Sequence, residues 1–163
     1  ADDNASGVAA VMELARQFVG EQVAPTLIFV TFSAEEHGLF GSTALVSSGL
    51  IELDTVELMV NMDMAARNAG QPVLLYHAGD LPVSVDEITQ IAASIGLPVT
   101  VASEGVGGSD QLPFERSGVP VLFPFSGYHD DYHGIDDEID RLEFDRLQAI
   151  VSLVREVVIA AAR

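Results

Sequence analysis

The sequence predicts an α/β fold, a three-layer α/β/α arrangement around a central mixed, mostly parallel sheet. Three observations carry that expectation. Apolar runs of strand length alternate with segments of helical periodicity, the order that gives a parallel or mixed sheet covered on both faces. Two of those runs, Thr26 to Phe32 and Val56 to Met62, end in carboxylates, at Glu35-Glu36 and at Asp63, where strand ends in such folds open onto a ligand crevice. The C-terminal segment repeats Leu142, Leu147, Ile150, Val151, Val154, Val157 and Val158 at helical spacing, a stripe that faces a core.

The elements follow in order. The chain opens with Ala1-Asp2-Asp3-Asn4-Ala5-Ser6-Gly7 and enters an amphipathic helix at about residues 5–19, which Asn4 or Ser6 would cap. A strand at about 26–33 leads to a helix at about 36–48, whose first turn would welcome the charge of Glu35 and Glu36. Strands follow at about 56–62 and 72–77, the latter closed by His77, then a helix at about 84–95 and a strand at about 98–102. Gly105, Gly107 and Gly108 form a flexible loop before Ser109, with no lysine or nucleotide motif to make it a phosphate cradle. A helix at about 110–117, a strand at about 119–124, the acidic stretch Tyr128 to Asp137 and a helix at about 143–162 complete the chain. No internal repeat or low-complexity tract interrupts this order.

At 163 residues and 48% hydrophobic content the chain can bury a proper core as one domain. No window approaches the roughly eighteen uninterrupted apolar residues of a membrane-spanning helix, and no signal peptide is visible. The formal charge of −18 argues against nucleic acids and anionic membranes as partners. All basic side chains are arginine, and with no cysteine the chain has neither a disulfide scaffold nor a thiolate zinc site.

The element-end acids and histidines point to a metal. Asp63 sits between Met62 and Met64, and Arg67, past the strand end, would be solvated rather than paired with it. A carboxylate in that setting must protonate or find a cation, because an unpaired buried charge costs several kcal/mol. If Asp3, Glu36 and Asp63 converge within about 5 Å, each pair repels by roughly 3 kcal/mol at an effective dielectric near 20. A divalent cation removes that cost. Oxygen and imidazole ligands without thiolate suit zinc, cobalt or manganese.

Five motifs follow one another across almost the whole chain: Ala1-Asp2-Asp3-Asn4-Ala5-Ser6-Gly7-Val8-Ala9-Ala10, then Phe32-Ser33-Ala34-Glu35-Glu36-His37-Gly38-Leu39-Phe40-Gly41-Ser42, then Asn61-Met62-Asp63-Met64, then Ser109-Asp110-Gln111-Leu112-Pro113-Phe114, then Tyr132-His133 followed by Asp136-Asp137. In this order they resemble the M28 family of co-catalytic zinc aminopeptidases. The resemblance implies two zinc ions bridged by Asp3, with Glu36 and His133 completing one and Asp63 serving the other. It implies Glu35 as general base and Tyr132 as hydrogen-bond donor to a tetrahedral oxyanion, with Tyr128 close enough in sequence to compete. Ser109 and Asp110 would orient ligands. His129 competes with His133, which is preferred because Asp136 and Asp137 then match the family's acidic pair. His37 would point away from the site and His77 would be a packed or surface residue.

The family also has a histidine in an H-x-D motif a dozen or more residues before the bridging aspartate, and here nothing precedes Ala1. The expectation is therefore an incomplete metallopeptidase catalytic domain over residues 1–163, a piece of a longer protein whose sheet is truncated on its N-terminal side. One zinc or none would be firmly bound, and activity would be weak or absent. The substrate would be peptide or protein N-termini, and an exposed sheet edge would favour a homo-oligomer. Location stays open, with a secreted or periplasmic setting suggested by the resemblance. A carboxypeptidase-like or cyclising metallohydrolase of the same fold, and a non-catalytic remnant, stand as alternatives.

Overall fold

Successive side chains of a strand point to opposite faces, so Val73 and Leu75 must pack on one side of the sheet and Leu74 and Tyr76 on the other. The computed structural model, which describes residues 1–102 and 108–163, bears this out. Its strands are β1 (Met59–Val60), β2 (Val73–Ala78), β3 (Val99–Ala102) and β4 (Val121–Phe125), in the sheet order β1-β4-β2-β3. β1 runs parallel to β4 and β3 parallel to β2, whereas β2 and β4 are antiparallel, from Leu74 opposite Phe125 to Ala78 opposite Val121.

The helices are α1 (Gly7–Gln17), α2 (Phe40–Ser47), α3 (Val85–Ser94), α4 (Gln111–Arg116) and α5 (Phe144–Ala161). On one face, Val73, Leu75 and Leu122 pack with Ala10 and Leu14 of α1, Ile88 and Ala92 of α3, and Ile150, Leu153 and Val157 of α5. On the other, Val121 packs with Phe114 of α4 and with Leu45 and Val46 of α2. The expected three layers are present. Leu153 and Val157 of α5 are wholly buried, each such side chain contributing about 1.5–3 kcal/mol. Among the described residues no helix is long and apolar enough to cross a membrane.

Two expectations change. The run at 26–33 forms no strand; of its backbone groups, Ser33 C=O accepts from Gly41 N–H at 3.1 Å, while Ile28 and Phe29 are exposed. β-propensity becomes a strand only where a ladder partner lies alongside, and here the run and β1 flank an apolar groove of about 440 Å³ instead of pairing. The helix expected from residue 36 starts at Phe40, because Gly38 and Leu39 N–H both bond back to Glu35 C=O at 2.9 Å and Leu39 takes φ 58°. Glu35 and Glu36 thus stand on a tight turn ahead of α2 rather than within its first turn. Gly105 and Gly107 lie outside the described residues, and Gly108 lies just inside them.

Candidate functional site

Asp3 and Asn4 leave helical geometry, with φ/ψ of −102°/103° and −127°/49°, so the segment ahead of α1 is a distorted turn. Long-range bonds hold it there. Asp137 accepts the N–H of Asp2 through Oδ1 and of Asp3 through Oδ2, each at 3.0 Å. Asn4 Oδ1 accepts Gly7 N–H at 2.9 Å at the start of α1, and the Asn4 amide also donates to Met62 C=O at 3.1 Å, beside Asp63. Ser6, the other cap candidate, donates to Asp2 C=O at 2.7 Å and accepts from Ala65 N–H at 3.0 Å. Gly7 permits this closeness, since a Cβ there would stand 2.0 Å from Met62 O.

Three of the four expected metal ligands meet directly. His133 Nε2 lies 3.1 Å from Asp3 Oδ2 and 3.0 Å from Glu36 Oε1, and one ligand atom from each residue falls within 4.8 Å of the others. His133 takes φ 56°, and its ring stacks on Tyr132 with centroids 3.8 Å apart. Asp63 is not part of that trio, but it lines a narrow pocket with Asp3, Glu35, Glu36, Ser109 and Tyr132. Its Oδ2 accepts from Ser109 Oγ at 2.6 Å, and its buried Oδ1 has no hydrogen-bond partner among the described residues. Asp3, Glu36 and His133 also border a wider cavity of about 340 Å³.

The carboxyls of this site crowd one another. Burial, reinforced by the charges of Asp63 and Glu36, pushes the Glu35 carboxyl up to about 7. Burial raises Asp63 to about 6 against the opposing bond from Ser109, and burial with the Glu36 charge raises Asp3. Burial and the neighbouring Tyr128 push the Tyr132 phenol up to about 12. Among the described residues no arginine lines either cavity. Arg67, expected in solvent, is largely buried and paired with Asp131 at 2.6 Å and with Asp137 at 3.6 Å, because the loop carrying those acids folds over it. Two carboxylates and one imidazole form a donor set that fits a zinc-type ion, and the orphaned Asp63 oxygen is a further donor in the adjoining pocket.

The remaining expected residues fall outside the trio. Asp110, raised by burial, accepts from Ser42 Oγ of α2, and Ser109 accepts from Asn61 Nδ2 at 3.0 Å. Tyr128 packs edge-on to Tyr132, with centroids 4.8 Å apart. His129 is buried against Asp2 rather than grouped with Asp3 and Glu36. His37 lies in the turn after Glu36, and His77 on β2. Sequence reasoning missed Asn61, Ser42 and the inter-loop role of Asn4. Asn61 carried a readable signal, being an amide inside an apolar run that needs a partner once buried.

Residues 1–158 match the sequence pattern described as Peptidase family M28. The chain belongs to peptidase family M28. It is 35% identical over 130 residues to leupeptin-inactivating enzyme 1 of Streptomyces exfoliatus, covering 77% of this chain and 29% of that protein. It is 30% identical over 168 residues to leucine aminopeptidase 1 of Trichoderma harzianum, covering 90% of this chain and 42% of that protein. The solved structure of BSAP, a zinc aminopeptidase from Bacillus subtilis, superposes with a TM-score of 0.83 at 28% identity, covering 99% of this chain and 42% of that one. This M28 chain therefore spans well under half the length of these relatives.

Proposed function

We propose that this M28 chain carries the reaction centre of a zinc-dependent aminopeptidase, which cleaves the peptide bond after a free N-terminal residue. The observation that supports the reading most is the convergence of Asp3, Glu36 and His133, with the half-buried carboxyl of Glu35 lining a pocket shared with Asp3 and Glu36. The relatives named as aminopeptidases support it independently. Asp3, Glu36 and His133 would hold one zinc ion, and Asp63 with the shared Asp3 would serve a second. Bound there, zinc would supply Lewis acidity toward the scissile carbonyl and the attacking water.

The protein groups would do the rest. Glu35, which lines the pocket beside Asp3, Glu36 and Asp63, would take a proton from the attacking water as general base and return it to the leaving amine as general acid. Tyr132, held protonated through the neutral range, donates its O–H to the developing oxyanion. Ser109 fixes one oxygen of Asp63 and leaves the other free to act as a ligand. The acid-lined cavity attracts an α-ammonium group, and the neighbouring Phe123, Phe125 and Tyr128 suit an apolar first side chain. The test compares leucine p-nitroanilide with its N-acetylated form on the zinc-loaded chain. Release of nitroaniline from the free amine alone supports the aminopeptidase reading; equal release from both, or release from neither, overturns it for this chain.

A further inference from the structure

Asp2 and His129 bury two polar side chains that the proposed reaction does not use. Asp2 is completely buried and the His129 side chain is 3% exposed. Asp2 Oδ1 accepts the N–H of Ala66 at 2.8 Å, whereas Asp2 Oδ2 and both ring nitrogens of His129 have no hydrogen-bond partner among the described residues. Asp2 Oδ2 faces His129 Nε2 at 3.5 Å. A buried polar atom left without a complement costs about 1–3 kcal/mol, so each of these two side chains answers a need of the other.

Their places in the chain make this contact more than packing. Asp2 directly precedes Asp3, His129 lies on the loop that carries His133, and Ala66 lies just beyond Asp63. One buried carboxylate therefore touches the segments that follow Asp63 and precede His133, and its own backbone sets the direction of Asp3. The Asp137 bonds hold the backbone of the Asp3 turn from the far end of the same loop, so they do not replace a contact beneath it.

We propose that Asp2 and His129 are a positioning pair that holds Asp3 and His133 in register for one metal ion. The proposal rests on the metal-site reading above. Residues that orient metal ligands from behind typically change affinity by about 10- to 100-fold when replaced. His129→Leu fills the space without a donor, His129→Asn stays polar but is too short to reach Asp2, and His129→Gln restores a donor near the position of Nε2. Zinc affinity is measured for each by competition with a chromophoric chelator, alongside the melting temperature of the zinc-free chain.

The expected result is a 10- to 100-fold loss of zinc affinity in His129→Leu and His129→Asn, and a value within about threefold of the parent in His129→Gln. Should His129→Leu fail to fold, His129→Asn and His129→Gln carry the comparison. Lower melting temperatures with unchanged zinc affinity would make the pair purely structural and overturn the proposal, as would a His129→Gln variant no tighter than His129→Asn. A parent chain that binds no zinc overturns the metal reading itself, and the pair's role with it. A parent that binds zinc as tightly as every variant overturns the pair alone.

Discussion

The Asp137 carboxylate receives the backbone N–H of Asp3 at 3.0 Å, so the turn that presents one candidate ligand hangs from a residue four positions past another, His133. Burial pushes the Asp137 carboxyl up, but bonds from the N-terminal ammonium and from the N–H groups of Asp3 and Asp2 outweigh it and hold it at about 2. In Asp137→Asn one carboxylate oxygen becomes an N–H donor facing another donor. One backbone N–H then loses its acceptor, at a cost of about 1–3 kcal/mol. Thermal unfolding should show a melting temperature lower by roughly 3–10 °C. An unchanged value would mean that the turn is held by other bonds.

Glu35→Gln removes the proton-transfer group while leaving the ligand trio in place. Hydrolysis of leucine p-nitroanilide should fall by about 10²- to 10⁴-fold with zinc content unchanged. Steady-state rates and elemental analysis on the same sample check both halves, and activity within a few-fold of the parent would remove Glu35 as the base.

The raised carboxyls give the zinc-free chain a pH-dependent stability of defined sign. Folding lifts Asp63 to about 6 and Glu35 to about 7, above their ordinary values near 4, so the folded state binds more protons than the unfolded state between those limits. Their contribution is fully present below about pH 4 and is lost as the pH rises through about 6 to 7. Asp137 acts oppositely, and its contribution disappears only as the pH falls toward about 2. Urea unfolding of the zinc-free chain should therefore give a lower stability at pH 8 than at pH 5. The reverse order would contradict the crowding of uncompensated acids.

Gly7→Ala tests the packing that brings α1 up to the Asp63 segment. The new methyl would stand 2.0 Å from Met62 O and 2.4 Å from Asn4 Oδ1, contacts that force the helix start away from the sheet. Denaturant unfolding should show a loss of about 1–3 kcal/mol or more. Parent-like stability would mean that this approach is loose.

What the sequence made legible was whatever depends on residue type at an element end. Asp3, Glu36 and His133 stood out as ionisable groups closing or opening elements, and the structure does group them. The alternation of strand-length apolar runs with helical segments likewise announced a sheet covered on both faces, and β2 packs on both, through Val73 and Leu75 on one side and Leu74 and Tyr76 on the other. The run at 26–33 misled because a ladder depends on a neighbouring strand, which local propensity does not reveal. His129 read as a rival ligand because its burial against Asp2, 127 positions away in sequence, has no local signature. Asn4 and Ser6 read as cap candidates; Ser6 holds the cap position without a side-chain capping bond, and Asn4 accepts the N–H of Gly7 while its bond to Met62 depends on the tertiary approach of α1.

Zinc binding by Asp3, Glu36 and His133 is the step on which the proposed function depends. Elemental analysis of the chain after exposure to zinc and dialysis, with His133→Ala carried in parallel, tests it most directly. About one tightly held zinc per chain is expected in the parent, with its loss in His133→Ala. Parent chain that retains no zinc, or a His133→Ala variant that retains as much as the parent, would contradict it.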